Sequence, residues 1–324
     1  MKKKISYIQR ILASYLFCHS SQLTFWHEQP EVNVSFDRKG EGEYYMPFIQ
    51  KASYPGPFDS SGIPLLDYHG RIGQQYNPIA IAQYGLGNYN LYLRTGEVSY
   101  QKRAVQVADW LTQNLEQNPQ GCWVWNHYFD FEYSKLLKAP WYSGLAQGQG
   151  ISLLLRAYKD TGKKKYRISA EKAFETLVTR IQDGGVLLYD SQGDPWIEEY
   201  IVDPPTHILN GFIWALWGVY DYAQMLGDQR AKTLWQQGLN TLEKNLHHFD
   251  LGFWSRYDLS EQRMKMIASH FYHQLHIVQL KVLAELSSMP IFTVYVNRWK
   301  DYQNNLAYRN VALGYKICFK LAYF

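Results

Sequence analysis

The chain has three cysteines in 324 residues, Cys18, Cys122 and Cys318, and they lie far apart. An odd number without metal-ligand spacing excludes a disulfide framework and a cysteine metal site, and leaves reduced structural thiols. Charge of one sign is also scarce: 33 Lys and Arg against 29 Asp and Glu leave a net +4. That is too little to point to nucleic acid, but it allows an acidic polymer in a locally basic cleft. No run reaches the roughly 18 to 20 apolar residues that a membrane-spanning helix needs. The start, MKKKISYIQRILASYLFCHSSQ, lacks the marks of a secretory signal. Three lysines lead in, yet Gln9 and Arg10 interrupt the apolar stretch and no small-x-small cleavage site follows. Ile5, Ile8, Ile11, Leu12, Tyr15 and Leu16 fall at helical spacing instead. Residues 1–23 are therefore expected to form an amphipathic helix that packs on the body or touches a membrane surface. The expected location is the cytoplasm, near a membrane if that helix binds one. An exposed aromatic segment at this end is also compatible with a homodimer.

Aromatic residues are plentiful: 27 Tyr, 15 Phe and 11 Trp make 16% of the chain. A core absorbs many of them. Tyrosine and tryptophan also suit a groove that stacks on sugar rings, since each joins an apolar face to a polar handle.

Residues 24–75 are irregular. KASYPGPFDSSGIPLLDYHG is rich in Pro, Gly, Ser and Asp and predicts short strands and loops. From residue 76 to 324 helical segments recur in pairs. NPIAIAQYGLGNYNLYLRTG, with Pro78 at a first turn and Gly96 as a stop, precedes SYQKRAVQVADWLTQNLEQ. SGLAQGQGISLLLRAYKDTG and KKYRISAEKAFETLVTRI form a second pair, THILNGFIWALWGVYDYAQMLG and QRAKTLWQQGLNTLEKNLHHF a third. SHFYHQLHIVQLKVLAELS and PIFTVYVNRWKDYQNNL close the series. The first member of several pairs is apolar all round; the second is amphipathic. Alternating inner and outer helices predict a mainly α fold, an (α/α) toroid of helical hairpins. The aromatic connectors GCWVWNHYFDFEY, DGGVLLYDSQGDPWIEEY and DLGFWSRYD are expected to be small β-hairpins displayed together as working loops. The tail AYRNVALGYKICFKLAYF fits either an added strand or a last helix.

Three stretches carry chemistry. In WIEEYIVDPPTH, Glu198, Glu199 and Tyr200 precede an Asp-Pro-Pro turn that proline stiffens. Thr206 can cap the helix that follows. Neighbours in an extended segment point to opposite faces, so one glutamate is expected in a cleft and the other away from it. A solvated glutamate with a helix-start role is the plain alternative. In SHFYHQLHIVQL, Tyr272 and His276 share a helix face, with His273 on an adjacent one. Polar groups on so apolar a helix need partners, either in the core or at a site. The histidine spacing, without nearby carboxylates, is a weak metal signal, and no metal is expected. Arg256, Tyr257 and Arg263 in SRYDLSEQR are candidates to hold a carboxylate. The small residues of WYSGLAQGQG lack the Gly-Lys-Ser/Thr ending of a P-loop and predict tight helix packing or a crowded cleft wall.

YNPIAIAQYGLGNYNLYL, APWYSGLAQGQGISLLLRAY, WIEEYIVDPPTHILNGFIWALWGVYD, YDLSE and FYHQLHIVQLKVL, in this order, resemble the glucuronyl C5-epimerase family, whose animal members act on heparan sulfate precursors. The resemblance runs from Tyr44 to Asn304 and covers the family's helical catalytic domain. It implies inversion of carbon 5 of D-glucuronate within a polysaccharide to give L-iduronate, without a redox cofactor. It also implies an acidic, glucuronate-containing polysaccharide such as heparosan as partner. Matching motifs residue by residue, Glu199 and Tyr272 are expected as proton-transfer groups on opposite ring faces, with Tyr200 assisting. Tyr76, Gln149, Asn210, Arg256, Tyr257, Arg263, His273 and His276 are expected to contact or help position the substrate. One departure stands out: after YDL the animal pattern has arginine and this chain has Ser260, so Arg256 or Arg263 is expected to take over the carboxylate clamp. The residues leave open a polysaccharide lyase, a two-carboxylate glycosidase and a non-catalytic glycan-binding module.

Overall fold

The computed structural model describes residues 29–68, 70–133 and 135–323. The amphipathic helix expected over 1–23 lies outside them. The helices are α1 (Ile49–Ala52), α2 (Pro78–Thr95), α3 (Val98–Gln113), α4 (Gly144–Thr161), α5 (Lys164–Val178), α6 (Leu209–Leu226), α7 (Gln229–Asn245), α8 (His270–Ser287), α9 (Pro290–Asn304) and α10 (Leu306–Tyr323). The strands form four two-stranded antiparallel hairpins: β1 (Leu66–Asp67) with β2 (Gln74–Gln75), β3 (Glu116–Gln117) with β4 (Trp123–Val124), β5 (Phe131–Glu132) with β6 (Leu136–Leu137), and β7 (Leu187–Tyr189) with β8 (Pro195–Ile197). The chain divides into two compact units. The larger holds residues 33–205 and 211–241; the smaller holds 29–32, 206–210 and 242–323 among the described residues.

In the larger unit the expected pairing of buried and amphipathic helices is present. Helix α2 is buried along Ala80–Asn90 and α4 along Gly144–Ala157. By contrast α3 buries only Ala104, Val107, Ala108 and Leu111, one stripe at helical spacing. Asn77 caps α2, its Oδ1 accepting from the Ile79 and Ala80 N–H groups at 2.9 and 3.1 Å. Gly96 ends that helix at φ 71°, a left-handed conformation that suits glycine. The small-residue stripe of α4 is helix packing. A Cβ on Gly148 would come 2.6 Å from Ala215 Cα, and one on Gly218 would come 2.3 Å from the Gly148 carbonyl oxygen.

The irregular segment before α2 is tied down by a buried ion pair. Arg156 on α4 donates to Asp221 on α6 at 2.6 Å, and both side chains are fully buried. Tyr45 donates to the same carboxylate at 2.5 Å, and Arg156 also donates to the Gly42 carbonyl at 2.9 Å. Burial, then the Asp221 charge, pushes the Tyr45 phenol well above its usual pKa, so it stays a donor.

In the smaller unit α8 and α9 pack as a hairpin around Trp254, Leu280, Phe292 and Trp299. Ser269 caps α8 through the Tyr272 N–H, and Pro290 opens α9. The tail left open by the sequence is a helix. Helix α10 clamps the preceding loop: Lys316 donates to the Ile267 carbonyl at 2.6 Å, and the Tyr315 hydroxyl accepts from the Lys265 N–H at 2.9 Å.

Candidate functional site

Glu198–Tyr200 continues directly from β8. The hairpin register pairs Leu187 with Ile197 and Tyr189 with Pro195. Its turn is organised by Asp190, which accepts from the Gln192 and Asp194 N–H groups and from the Trp196 indole. Beyond the last strand pair, the Glu198 N–H donates to the Val186 carbonyl at 2.9 Å, and its carbonyl accepts from Gly144 N–H at 3.0 Å. The backbone of this segment is thus locked between a hairpin and the start of α4.

Both glutamates are buried, Glu198 at 1% and Glu199 at 4% exposure, so the solvated-glutamate alternative does not hold. The Glu199 carboxylate lies on Gly211, in the first turn of α6: a Cβ there would sit 2.2 Å from Oε2. A helix start carries unpaired N–H groups and the positive end of the macrodipole, so this location favours a negative charge. Thr206 does not cap that helix as expected. The helix begins at Leu209, three residues later, and the buried Thr206 hydroxyl has no hydrogen-bond partner among the described residues.

Tyr200 sits in an aromatic box that the sequence showed only as a connector. Its ring lies 4.9 Å from Tyr133, 5.7 Å from Phe131 and 5.6 Å from Trp141. His127 stacks on the far side of that set, 3.8 Å from Trp141 at an interplanar angle of 3°. Burial drives the His127 pKa down to about 3, so the ring is neutral. Its Nδ1 faces the Trp141 carbonyl at 3.3 Å, and its Nε2 has no partner among the described residues. The alternating aromatics of WNHYFDFEY were the available signal for this box.

Gln149 and Tyr76 fall elsewhere in the larger unit. Gln149 is buried on α4, its Oε1 accepting from Gln83 at 3.1 Å. Tyr76 is 40% exposed; its hydroxyl donates to Asp59 at 2.7 Å and its ring lies 5.5 Å from Trp110. The hydrogen bond to Asp59 raises its pKa to about 12.

The smaller unit gathers the other candidates. Tyr272, in the first turn of α8, meets Tyr257 edge to face with centroids 4.8 Å apart. The Tyr257 carbonyl accepts from Leu209 N–H, and the Asn210 carbonyl accepts from Gln279 Nε2 at 2.9 Å. Arg256 is buried and donates to the His248 and Ser260 carbonyls at 3.2 and 3.3 Å. Ser260, where the resemblance leads one to expect arginine, turns its hydroxyl onto Asp258 at 2.7 Å. Arg263 stands exposed in the loop, without a hydrogen bond or ion pair among the described residues. Of the two arginines, then, only Arg256 is buried and hydrogen-bonded.

His273 and His276 are fully buried and both meet Ser255. Ser255 Oγ lies 2.8 Å from His273 Nδ1 and 2.9 Å from His276 Nδ1. His273 Nε2 lies 2.9 Å from the Trp299 carbonyl, which can only accept. The proton of His273 is therefore on Nε2, and its Nδ1 accepts from the Ser255 N–H at 3.2 Å and from the closer Ser255 hydroxyl. That leaves His276 Nδ1–H to donate to Oγ, and His276 Nε2 as a bare lone pair with no partner among the described residues. Burial lowers the pKa of both rings, that of His273 to about 3, so the relay is neutral. Neither ring offers surface to a polymer; they hold Ser255 and the base of α8. Among the described residues no three His, Cys, Asp or Glu side chains cluster so as to hold a metal, and no helix is long and apolar enough to cross a membrane.

The chain matches the family model described as D-glucuronyl C5-epimerase C-terminus over residues 117–301. It is similar to the D-glucuronyl C5-epimerase of Caenorhabditis elegans, 34% identical over 212 residues, which is 60% of this chain and 34% of that protein. It thus spans about a third of the length of that relative. An uncharacterized protein of Methanocaldococcus jannaschii is 26% identical over 277 residues, covering 79% of this chain and 88% of its own. Among solved structures, cellobiose 2-epimerase from Bacillus thermoamylovorans superposes with a TM-score of 0.53 at 14% identity, covering 92% of this chain and 74% of that one. That likeness bears on fold alone. It assigns the chain to the (α/α)-toroid class, mainly helical, with short hairpin connectors.

Proposed function

We propose, for a chain that belongs to the D-glucuronyl C5-epimerase C-terminus family, that it inverts carbon 5 of D-glucuronate residues in an acidic polysaccharide. The hydrogen removed is α to a carboxylate, so the reaction passes through an enolate-like carbanion. Inversion needs a base that takes the proton from one ring face and an acid that returns one to the other. It also needs donors or positive charge for the growing carboxylate charge.

We assign the base to Glu199, the acid to Tyr272, and a supporting role to Tyr200. The observation that carries this reading is the Glu199 carboxylate, buried, fixed between a hairpin and a helix start, and next to the boxed Tyr200. A phenol acting as base at pH 7 would cost about 4 kcal/mol from its ordinary pKa near 10, which favours tyrosine as the acid. Arg256, buried and next to Tyr257 in the sequence, is the candidate carboxylate clamp in place of the arginine missing at Ser260.

The test is deuterium incorporation at carbon 5 of a desulfated heparosan polymer in heavy water. Wild type should exchange. Glu199→Gln and Tyr272→Phe should each lose about 10²- to 10⁴-fold with unchanged thermal unfolding. Exchange at the wild-type rate in Glu199→Gln would reject the assignment. An ultraviolet-absorbing unsaturated uronate would instead make the protein a lyase.

A further inference from the structure

A cleft of about 260 Å³ lies at the outer end of the hairpin β7–β8, lined by Arg180, Ile181, Gln182, Leu187, Leu188 and Tyr189. That is just below the roughly 300–1,000 Å³ of pockets for drug-sized ligands, a size for a sugar unit rather than a large cofactor. Arg94, Arg156, Arg167, Arg230 and Arg298 are each ion-paired. The Arg180 guanidinium has no carboxylate within ion-pair distance among the described residues, Asp183 on the same turn included. It lies over the Tyr189 ring instead, 5.3 Å from the centroid. Stacked in this way, its N–H donors remain available. The Gln182 amide, exposed on the same turn, adds donor and acceptor capacity.

The backbone under this cleft is fixed. Arg180 bridges to Leu187, its carbonyl accepts from Gly185 N–H at 2.9 Å, and Leu187 N–H donates to the Thr179 carbonyl at 3.0 Å. The same hairpin runs to the candidate base: Val186, beside Leu187, accepts from Glu198 N–H. Tyr189 is three residues from Val186, about 10 Å along a strand. A polymer engaged at Glu199 would reach the cleft within a few sugar units.

We propose that this cleft is a distal subsite for a uronate residue of the polymer, its ring on Tyr189 and its carboxylate on Arg180. The inference rests on the acidic-polysaccharide reading above. Stacking on a phenol suits any pyranose; the free guanidinium selects the charged one, and its planar fork matches a carboxylate.

The experiment is calorimetric binding of heparosan tetrasaccharide and decasaccharide to the full chain, with a neutral decasaccharide as control. Wild type, Arg180→Ala, Arg180→Gln and Tyr189→Ala are compared at low and high salt, with carbon-5 deuterium exchange followed in parallel. For the decasaccharide, the Arg180 variants should weaken binding about three- to fivefold and Tyr189→Ala about three- to tenfold. The tetrasaccharide should bind all four proteins alike. The Arg180 effect should shrink at high salt, and exchange at saturating decasaccharide should be unchanged. Equal losses for both lengths, or no loss for the decasaccharide, would overturn the subsite while leaving the activity standing. Failure of wild type to bind or exchange either acidic oligosaccharide would overturn the acidic-polymer reading and the subsite with it.

Discussion

Glu199 and His276 are both buried polar groups, yet they sit in different surroundings. Glu199 hangs beyond the end of β8, with Gly211 close against its carboxylate and a neighbour boxed by aromatic rings. His276 sits inside α8 and is positioned by hydrogen bonds, through Ser255 to His273 and on to the Trp299 carbonyl. The first arrangement leaves no tolerance for a displaced neighbour. The second contributes to stability and fixes a tautomer. Geometry should therefore control activity at the hairpin, and protonation should control stability at the histidines.

The largest expected effect tests the second half of that contrast. His127 and His273 titrate at about 3 in the folded chain because burial opposes charge, against about 6.5 when unfolded. Between those values the unfolded state binds more protons, so stability present above about pH 6.5 is lost as pH falls. Each ring should remove about 1.4 kcal/mol per pH unit, or about 5 kcal/mol for the two between pH 6.5 and 4.5. Urea unfolding across that range measures it. His127→Phe, which keeps the stacking on Trp141, should flatten the slope by about 1.4 kcal/mol per unit. An unchanged slope would mean that His127 is not buried in neutral form.

Gly211→Ala tests the first half. Its Cβ would lie 2.2 Å from Glu199 Oε2, 2.6 Å from Cβ and 2.9 Å from Cδ, so the glutamate must move. A displacement of about 1 Å at a reacting group can cost about 10²-fold in rate. We expect a loss of that order in carbon-5 exchange, while alanine in a helix tends to raise stability. Activity within a factor of three of wild type would show that the Glu199 position is not critical.

The contrast also marks what could be read from the sequence. Helical period, Pro78 and Gly96 placed α2 within a residue of its observed ends, since those signals act within a single turn. The pairing of buried and amphipathic helices followed from the apolar pattern alone. The hairpin that leads into Glu199 was legible too, as was the packing role of Gly148. What stayed hidden depends on contacts remote in sequence. Ser255 meets histidines 18 and 21 positions away, and only the fold brings them onto one hydroxyl. Trp141 reaches Tyr200 across 59 positions. Thr206 misled because a good capping residue was read without its backbone; His207 at φ 48° keeps the helix from starting until Leu209.

Ser255→Ala sharpens the helix side at a smaller scale. It removes the hydroxyl between two buried imidazoles but leaves the Ser255 N–H contact to His273 Nδ1 at 3.2 Å. His276 Nδ1–H then has no acceptor, at a cost of about 1–3 kcal/mol. Urea unfolding should show that loss at pH 7.5, with exchange at saturating polymer changed less than threefold. A loss of activity without a loss of stability would instead bring the histidine relay into the chemistry.

Glu198→Gln is the smallest and the most pointed test. Glu198 and Glu199 are adjacent, alike in residue type and both buried, so neither type nor burial separates them. What is seen to separate them is position: the Glu199 carboxylate reaches the first turn of α6, and the Glu198 backbone bonds to Val186 and Gly144. Glutamine preserves that backbone pairing and the side-chain volume. Exchange should fall less than about fivefold, under 1 kcal/mol of barrier, beside the 10²- to 10⁴-fold expected for Glu199→Gln. Equal losses in the two variants would mean that the pair acts as a unit, and that the hairpin presents a shared carboxylate site rather than a single base.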